Sequence, residues 1–241
     1  MKTKTLFFLS LLIAYAIMFN SCNKDEQIPA PEPTITPVDY YSGLGSKPGI
    51  PTGRPFVLPS HVKIIGDIRG GIMGKNNGID KNKYTGPFPY ITPDKTWIDY
   101  GTGTYVNLYI KFYNSLPTPS SVTIPGGLIF IDSLDINTHT GTYQKGYILQ
   151  SVTIYLPALD TSFAHINAYC LNHTLLPSNY NAIYYIGPIT NNPQLNQISS
   201  IMSTKQYPFG EEYNIQNIIW NVTDYGMTLT PSEIQYLNSL P

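Results

Sequence analysis

Charge is scarce in this chain. Of its 241 residues only 12 % are Asp, Glu, Lys or Arg, with 14 basic and 15 acidic side chains and a formal net charge of −1. Without a basic surplus, a nucleic-acid phosphate backbone finds little to bind, so nucleic acid is excluded as a partner. Without an acidic surplus, a self-repelling disordered chain is excluded too. Cysteine is scarcer still: Cys22 and Cys170 are the only two, too few for a disulfide framework. Beyond the N-terminus no apolar run reaches about 18 residues, so the body carries no spanning helix. What the chain does have is 21 Pro, 19 Gly and 20 Tyr, turn formers and strand formers together. That balance points to an exported, β-rich protein rather than a helical cytosolic enzyme.

The N-terminus reads as an address. Lys2 and Lys4 precede a mostly apolar run from Leu6 to Phe19, shorter than the about 20 residues of a membrane span and suited to a signal-peptide core. The run ends Phe19-Asn20-Ser21-Cys22 and is followed by Asn23-Lys24-Asp25-Glu26. A small residue directly before a cysteine at this place resembles a bacterial lipobox, with Phe19 where Leu is usual. Such relaxed boxes resemble those of Bacteroidota lipoproteins, in which an acidic stretch like Asp25-Glu26 resembles a surface-export signal. The resemblance implies cleavage of residues 1–21 and lipidation of Cys22. It also implies attachment to the outer membrane with exposure at the cell surface. Multiple acyl chains, at about 0.8 kcal/mol per buried CH₂, hold such an anchor firmly.

Eight prolines between Pro29 and Pro59 make residues 22–60 an expected disordered, semi-extended tether. Residues 61–241 are then the folded body. Strands are expected at His61 to Ile68, Thr104 to Tyr113, Ser121 to Ile124, Leu128 to Ile131, Gly146 to Leu156 and Phe163 to Leu171. The clearest is Thr104 to Tyr113, where Val106, Leu108, Ile110 and Phe112 alternate with polar and aromatic partners in the two-residue period of a half-buried strand. Val122-Thr123-Ile124-Pro125 and Val152-Thr153-Ile154 read as similar proline-ended edge strands. After about Leu171 the pattern turns helical. Asn192 and Pro193 open one helix, Glu211 to Thr223 places Ile215, Ile218, Ile219 and Val222 on one face, and Thr230-Pro231-Ser232-Glu233 is a capping box. The expected fold class is α+β: an antiparallel β-sandwich followed by a helical section packed on it, as one domain.

Cys170 stands in Ala168-Tyr169-Cys170-Leu171-Asn172 at the end of an expected strand. Gln216 stands in Ile215-Gln216-Asn217-Ile218-Ile219-Trp220 on an expected helix. Tyr169-Cys170-Leu171 and Gln216 with Ile219 and Trp220 resemble the two motifs of the thioester domains of bacterial surface adhesins. Ile215 stands where Thr is frequent in that family, and Ile218 where Ala is. The resemblance covers about residues 120–241. It implies that the Cys170 sulfur is acylated by the Gln216 side chain with loss of ammonia, and that Tyr169 and Trp220 support the pair. A buried thioester is an activated acyl group kept from water until a nucleophile enters. The plainer alternatives are that Cys170 is a small buried hydrophobe and that Gln216 lies on a helix surface.

Other constellations carry less. His61, His139, His165 and His173 are scattered and lack the spacing of a metal site, so surface positions are expected for all four. His165, five residues before Cys170, falls on the opposite face of its strand. Asp132, Asp135 and Asp160 form no spaced calcium loop. No metal, cofactor or enzymatic turnover is expected. The sequence thus points to a lipid-anchored surface adhesion protein that binds an unidentified surface or host ligand, with covalent capture through Cys170 and Gln216. The alternatives are a structural envelope lipoprotein without chemistry and a cysteine-dependent hydrolase.

Overall fold

The computed structural model describes residues 39–72, 96–134, 141–206 and 210–241. The expected signal segment, Cys22, the expected tether up to Val38, Asp135 and His139 lie outside them. The described strands are β1 Gly53–Pro55, β2 Val62–Ile64, β3 Ile68–Gly70, β4 Ile98–Tyr100, β5 Val106–Asn114, β6 Ser120–Ile124, β7 Leu128–Asp132, β8 Gly146–Tyr147, β9 Val152–Leu156, β10 Thr161–Cys170 and β11 Ile183–Thr190. Three helices follow, α1 Pro193–Met202, α2 Glu212–Thr223 and α3 Pro231–Ser239.

The body is not a sandwich followed by a helical section. β5, β3, β11, β7, β8 and β10 pair in that order, and β10 returns to β5, closing a six-stranded antiparallel barrel. β2 extends β5, β1 extends β11, and β4 lies parallel to β10 outside the ring. Closure follows from two strands. β10 is ten residues long and pairs with β5 over Thr161 to Ala168, then with β8 at Tyr169 and Cys170. β11, within the stretch expected to be helical, links β3 to β7. A sheet closed on itself has no free edge to protect, which a sandwich still has.

The two-residue period sorts the barrel strands between two cores. Val106, Leu108, Ile110 and Phe112 of β5, Leu128 and Phe130 of β7, and Ala164, Ile166, Ala168 and Cys170 of β10 share one apolar cluster. The intervening Ile129, Ile131, Tyr147, Tyr169 and Leu171 belong to a second cluster with Leu195, Ile198 and Met202 of α1, Ile215, Ile218, Ile219 and Val222 of α2, and Leu237 of α3. Thus the helices cover the outside of the β7–β8–β10 wall. Fully burying each such aliphatic side chain contributes about 1.5–3 kcal/mol. The two proline-ended strands pair with each other: Val122 faces Ile154 and Thr123 faces Thr153 in a separate ribbon, β6–β9. Gly146 sits where a side-chain carbon would meet Val106 and Ala168 at 3.0 and 3.2 Å, so a larger residue there would have to push these neighbours aside as β8 crosses the wall at Cys170.

Residues 39–60 are part of this fold rather than tether. Leu44 is buried in the helix-side cluster, Gly45 N–H donates to the Leu171 carbonyl at 2.9 Å, and β1 pairs with β11. Prolines excluded this segment from a central sheet position but not from packing. His61 to Ile68 divides into β2 and β3 around Gly66, whose φ of 72° makes the turn. Gly146 to Leu156 likewise divides into β8 and β9.

Candidate functional site

β10 ends at Cys170, at the rim of the barrel beside α2. The amphipathic face of α2 is pinned to the wall by Ile215, Ile218 and Ile219. Gln216 therefore points into protein, and both it and Cys170 have no exposed surface. The Cys170 N–H donates to Gln216 Oε1 at 2.8 Å. The Gln216 Nε2 donates back to the Cys170 carbonyl at 2.7 Å. The planar amide thus closes a two-bond ring with the main chain of the cysteine. That pairing supplies partners for a strand-end N–H and C=O which burial would otherwise leave costly. It also seats the amide against the main chain of the residue that carries the thiol.

The surrounding groups fix the sulfur. The Asn172 N–H points at Cys170 Sγ at 3.3 Å. Asn172 is itself fully buried: its Oδ1 accepts from Lys145 N–H at 3.3 Å and its Nδ2 donates to the Gly45 carbonyl at 2.6 Å. Gly45 has a φ of +56°, and a side-chain carbon there would lie 2.2 Å from the Thr223 carbonyl. The N-terminal segment, the end of β10 and the end of α2 are therefore locked together around the thiol. Burial pushes the Cys170 thiol up to about 12; the Trp220 indole N–H and the Asn172 N–H oppose this, and the Asp224 charge adds to it. The Trp220 N–H lies beside the sulfur without full hydrogen-bond geometry to any protein acceptor. At neutral pH the group is a thiol, held next to a primary amide.

The rim above the pair is aromatic and carries an acid–base pair. Trp220 stands edge-on to Tyr105, with ring centroids 5.1 Å apart, and 5.7 Å from the His173 ring. His173 Nδ1 faces Asp224 Oδ1 at 3.2 Å, and its main-chain N–H donates to the same oxygen at 3.1 Å. The Thr223 hydroxyl donates to Asp224 Oδ2 at 3.0 Å. The Asp224 side chain is 4 % exposed and that of His173 40 %, so the carboxylate is anchored inside while the ring reaches solvent.

The structure thus brings Cys170, Gln216 and Trp220 together. Tyr169 is not at the thiol: strand alternation turns it into the helix-side cluster. Gln216 is not on a helix surface. His165 is not a surface residue: it is 2 % exposed, faces Asp99 through Nδ1 and Asn107 Oδ1 through Nε2, and stacks on Tyr109. It does lie on the opposite strand face from Cys170, as the alternation requires. Asp132 caps a loop, accepting N–H bonds from Leu134, Thr142 and Tyr143. Among the described residues no three His, Cys, Asp or Glu side chains converge as a metal site. The residues missed from the sequence are Asn172, Asp224 and the role of His173. His173, three positions after the cysteine, was visible; Asp224, 51 residues further on, carried no local signal.

Comparison of the chain with family models, with curated proteins and with solved structures finds no match.

Proposed function

We propose that the protein is a lipid-anchored protein of the bacterial envelope that captures a target covalently through a thioester between Cys170 and Gln216. What carries the reading is the reciprocal pair of hydrogen bonds, 2.8 and 2.7 Å, between the Gln216 amide and the Cys170 main chain. The Cys170 N–H is aimed at Oε1, the atom that gains negative charge when sulfur adds to the amide carbon, and so acts as an oxyanion donor. The Cys170 carbonyl holds the nitrogen that leaves as ammonia. The thiol proton goes to that nitrogen, the C–N bond breaks and the C–S bond forms. Burial then shields the thioester from water until a nucleophile enters at the rim. Such a protein reacts once and is not a turnover enzyme. The lipobox-like Ser21-Cys22 and the acidic Asp25-Glu26 support anchoring at the outer membrane.

Intact mass tests the chemistry. A thioester leaves the chain one ammonia lighter than its sequence; methylamine then adds at Gln216 and frees one thiol. An unchanged sequence mass would leave a purely structural Gln216, tying a strand end to a helix. A loss of ammonia that methylamine does not reverse would indicate an amide cross-link instead. Anchoring is tested apart, by fatty-acid labelling of Cys22→Ala: loss of label is expected, and retained label would overturn it.

A further inference from the structure

We infer that His173, oriented by Asp224, is the general base that directs the Cys170–Gln216 site toward hydroxyl nucleophiles of a polyol or carbohydrate target. This rests on the thioester reading and names its substrate class. The carboxylate of Asp224 accepts from His173 through Nδ1 and also from the His173 main-chain N–H. With Nδ1 carrying the proton, Nε2 is the basic nitrogen. The dyad is built rather than incidental: Asp224 is buried, its second oxygen is held by Thr223, and His173 is tied to the thiol through the shared neighbour Trp220. The His173 side chain is 40 % exposed, whereas Cys170 and Gln216 are fully buried.

A neutral amine attacks a thioester unaided, whereas a hydroxyl is a poor nucleophile until a base takes its proton as it adds. A base at the rim therefore changes the outcome for hydroxyls far more than for amines. The leaving group raises the same need. Burial pushes the Cys170 thiol up to about 12, so the departing sulfur requires a proton. In the capture step the hydroxyl oxygen adds to the Gln216 carbonyl carbon and its proton passes to His173 Nε2. The C–S bond breaks, the imidazolium returns that proton to Cys170 sulfur, and an ester and a thiol result. Nothing else is consumed. The rim suits a polyhydroxylated ring. Tyr105 and Trp220 meet edge to face, Tyr225 lies 6.0 Å from His173 and is 64 % exposed, and aromatic faces of this kind pack against sugar C–H surfaces with polar tips left free.

The test compares the full-length protein with H173A and D224N, using glycerol as the hydroxyl probe and methylamine as the amine probe. Thiol release and the mass added at Gln216 are followed with time. Glycerol should add to the wild-type chain, and H173A should slow that addition at least about a hundredfold, the lower bound for losing a general base. Methylamine opening should slow far less, so the hydroxyl-to-amine ratio collapses. Free imidazole should restore glycerol addition to H173A, which a merely structural role for His173 would not allow. D224N should fall between the two. Unchanged glycerol addition in H173A, or no rescue by imidazole, would overturn the dyad while leaving the thioester standing. A wild-type chain of unaltered sequence mass that releases no thiol to methylamine would overturn the thioester and the role of the dyad with it.

Discussion

Gln216 is the residue on which structure and chemistry converge. Its amide satisfies the last N–H and C=O of β10, both sealed from water. Leaving such buried groups unpaired costs about 1–3 kcal/mol each. To separate this from any covalent bond, the effect is measured in a Cys170→Ala background. There, adding Gln216→Ala should lower the unfolding free energy by about 3 kcal/mol in urea denaturation. A change near zero would mean that the hydrogen-bonded ring does not form. Gly45 makes a second residue-scale demand, because its positive φ and its 2.2 Å approach to the Thr223 carbonyl exclude a side chain. Gly45→Ala should destabilise the protein and loosen the site, seen as a lower urea midpoint and faster thiol release from Cys170 on methylamine treatment. What was readable at this scale was residue type and spacing: the aromatic-Cys-apolar segment and the later Gln with its Trp. Asn172 was unreadable because its partners, Lys145 and Gly45, are 27 and 127 residues away.

At the scale of elements, the helices were legible because their signals are local. Asn192 accepts from the Gln194 and Leu195 N–H groups ahead of Pro193. Thr230 and Glu233 complete the capping box ahead of α3. Burial works against the charge of Glu233, but hydrogen bonds from the Thr230 N–H, Asn221 and the Thr230 hydroxyl outweigh it and hold its carboxyl below the usual carboxylate range. A group depressed in this way stabilises the fold above its unfolded pKa, and that contribution is lost as pH falls through the folded value. Thr230→Ala should therefore cost about 1 kcal/mol at neutral pH, with the deficit shrinking as the solution is acidified below pH of about 4. Equal urea midpoints for wild type and mutant at neutral pH would show that α3 is not docked. β11 was not legible. Gly187 and Pro188 interrupt it, and its pairing to β7 shifts register between Ile186 and Ile189. It thus shows no clean alternation, although it joins two sides of the barrel.

For the whole molecule, the alternation of β5 announced a half-buried strand and the short apolar run of β7 a strand, but neither announced the closure of the sheet. Closure depends on one long strand, β10, changing partners along its length, and on β11 bridging β3 and β7. Both are long-range pairings that no local pattern encodes. In a closed barrel the amides of β11 are core amides. They should exchange with deuterium as slowly as those of β5 and β10, at the rate of global opening. Exchange of β11 as fast as that of a loop would contradict closure. The same long-range assembly hid His173 and Asp224 as a pair, since only the docking of α2 beside the end of β10 joins them.

The most direct measurement on the thioester is the intact mass of the full-length protein beside that of Cys170→Ala, made and processed in the same cells. Any lipid or cleavage is then common to both. The predicted result is a wild-type chain lighter by one ammonia than the Cys-to-Ala substitution alone accounts for. After amine treatment it should be heavier than that expectation by one methylamine less one ammonia, with one thiol newly free. A difference equal to the substitution alone, before and after methylamine, would contradict covalent capture and leave Gln216 as a structural tie between helix and strand.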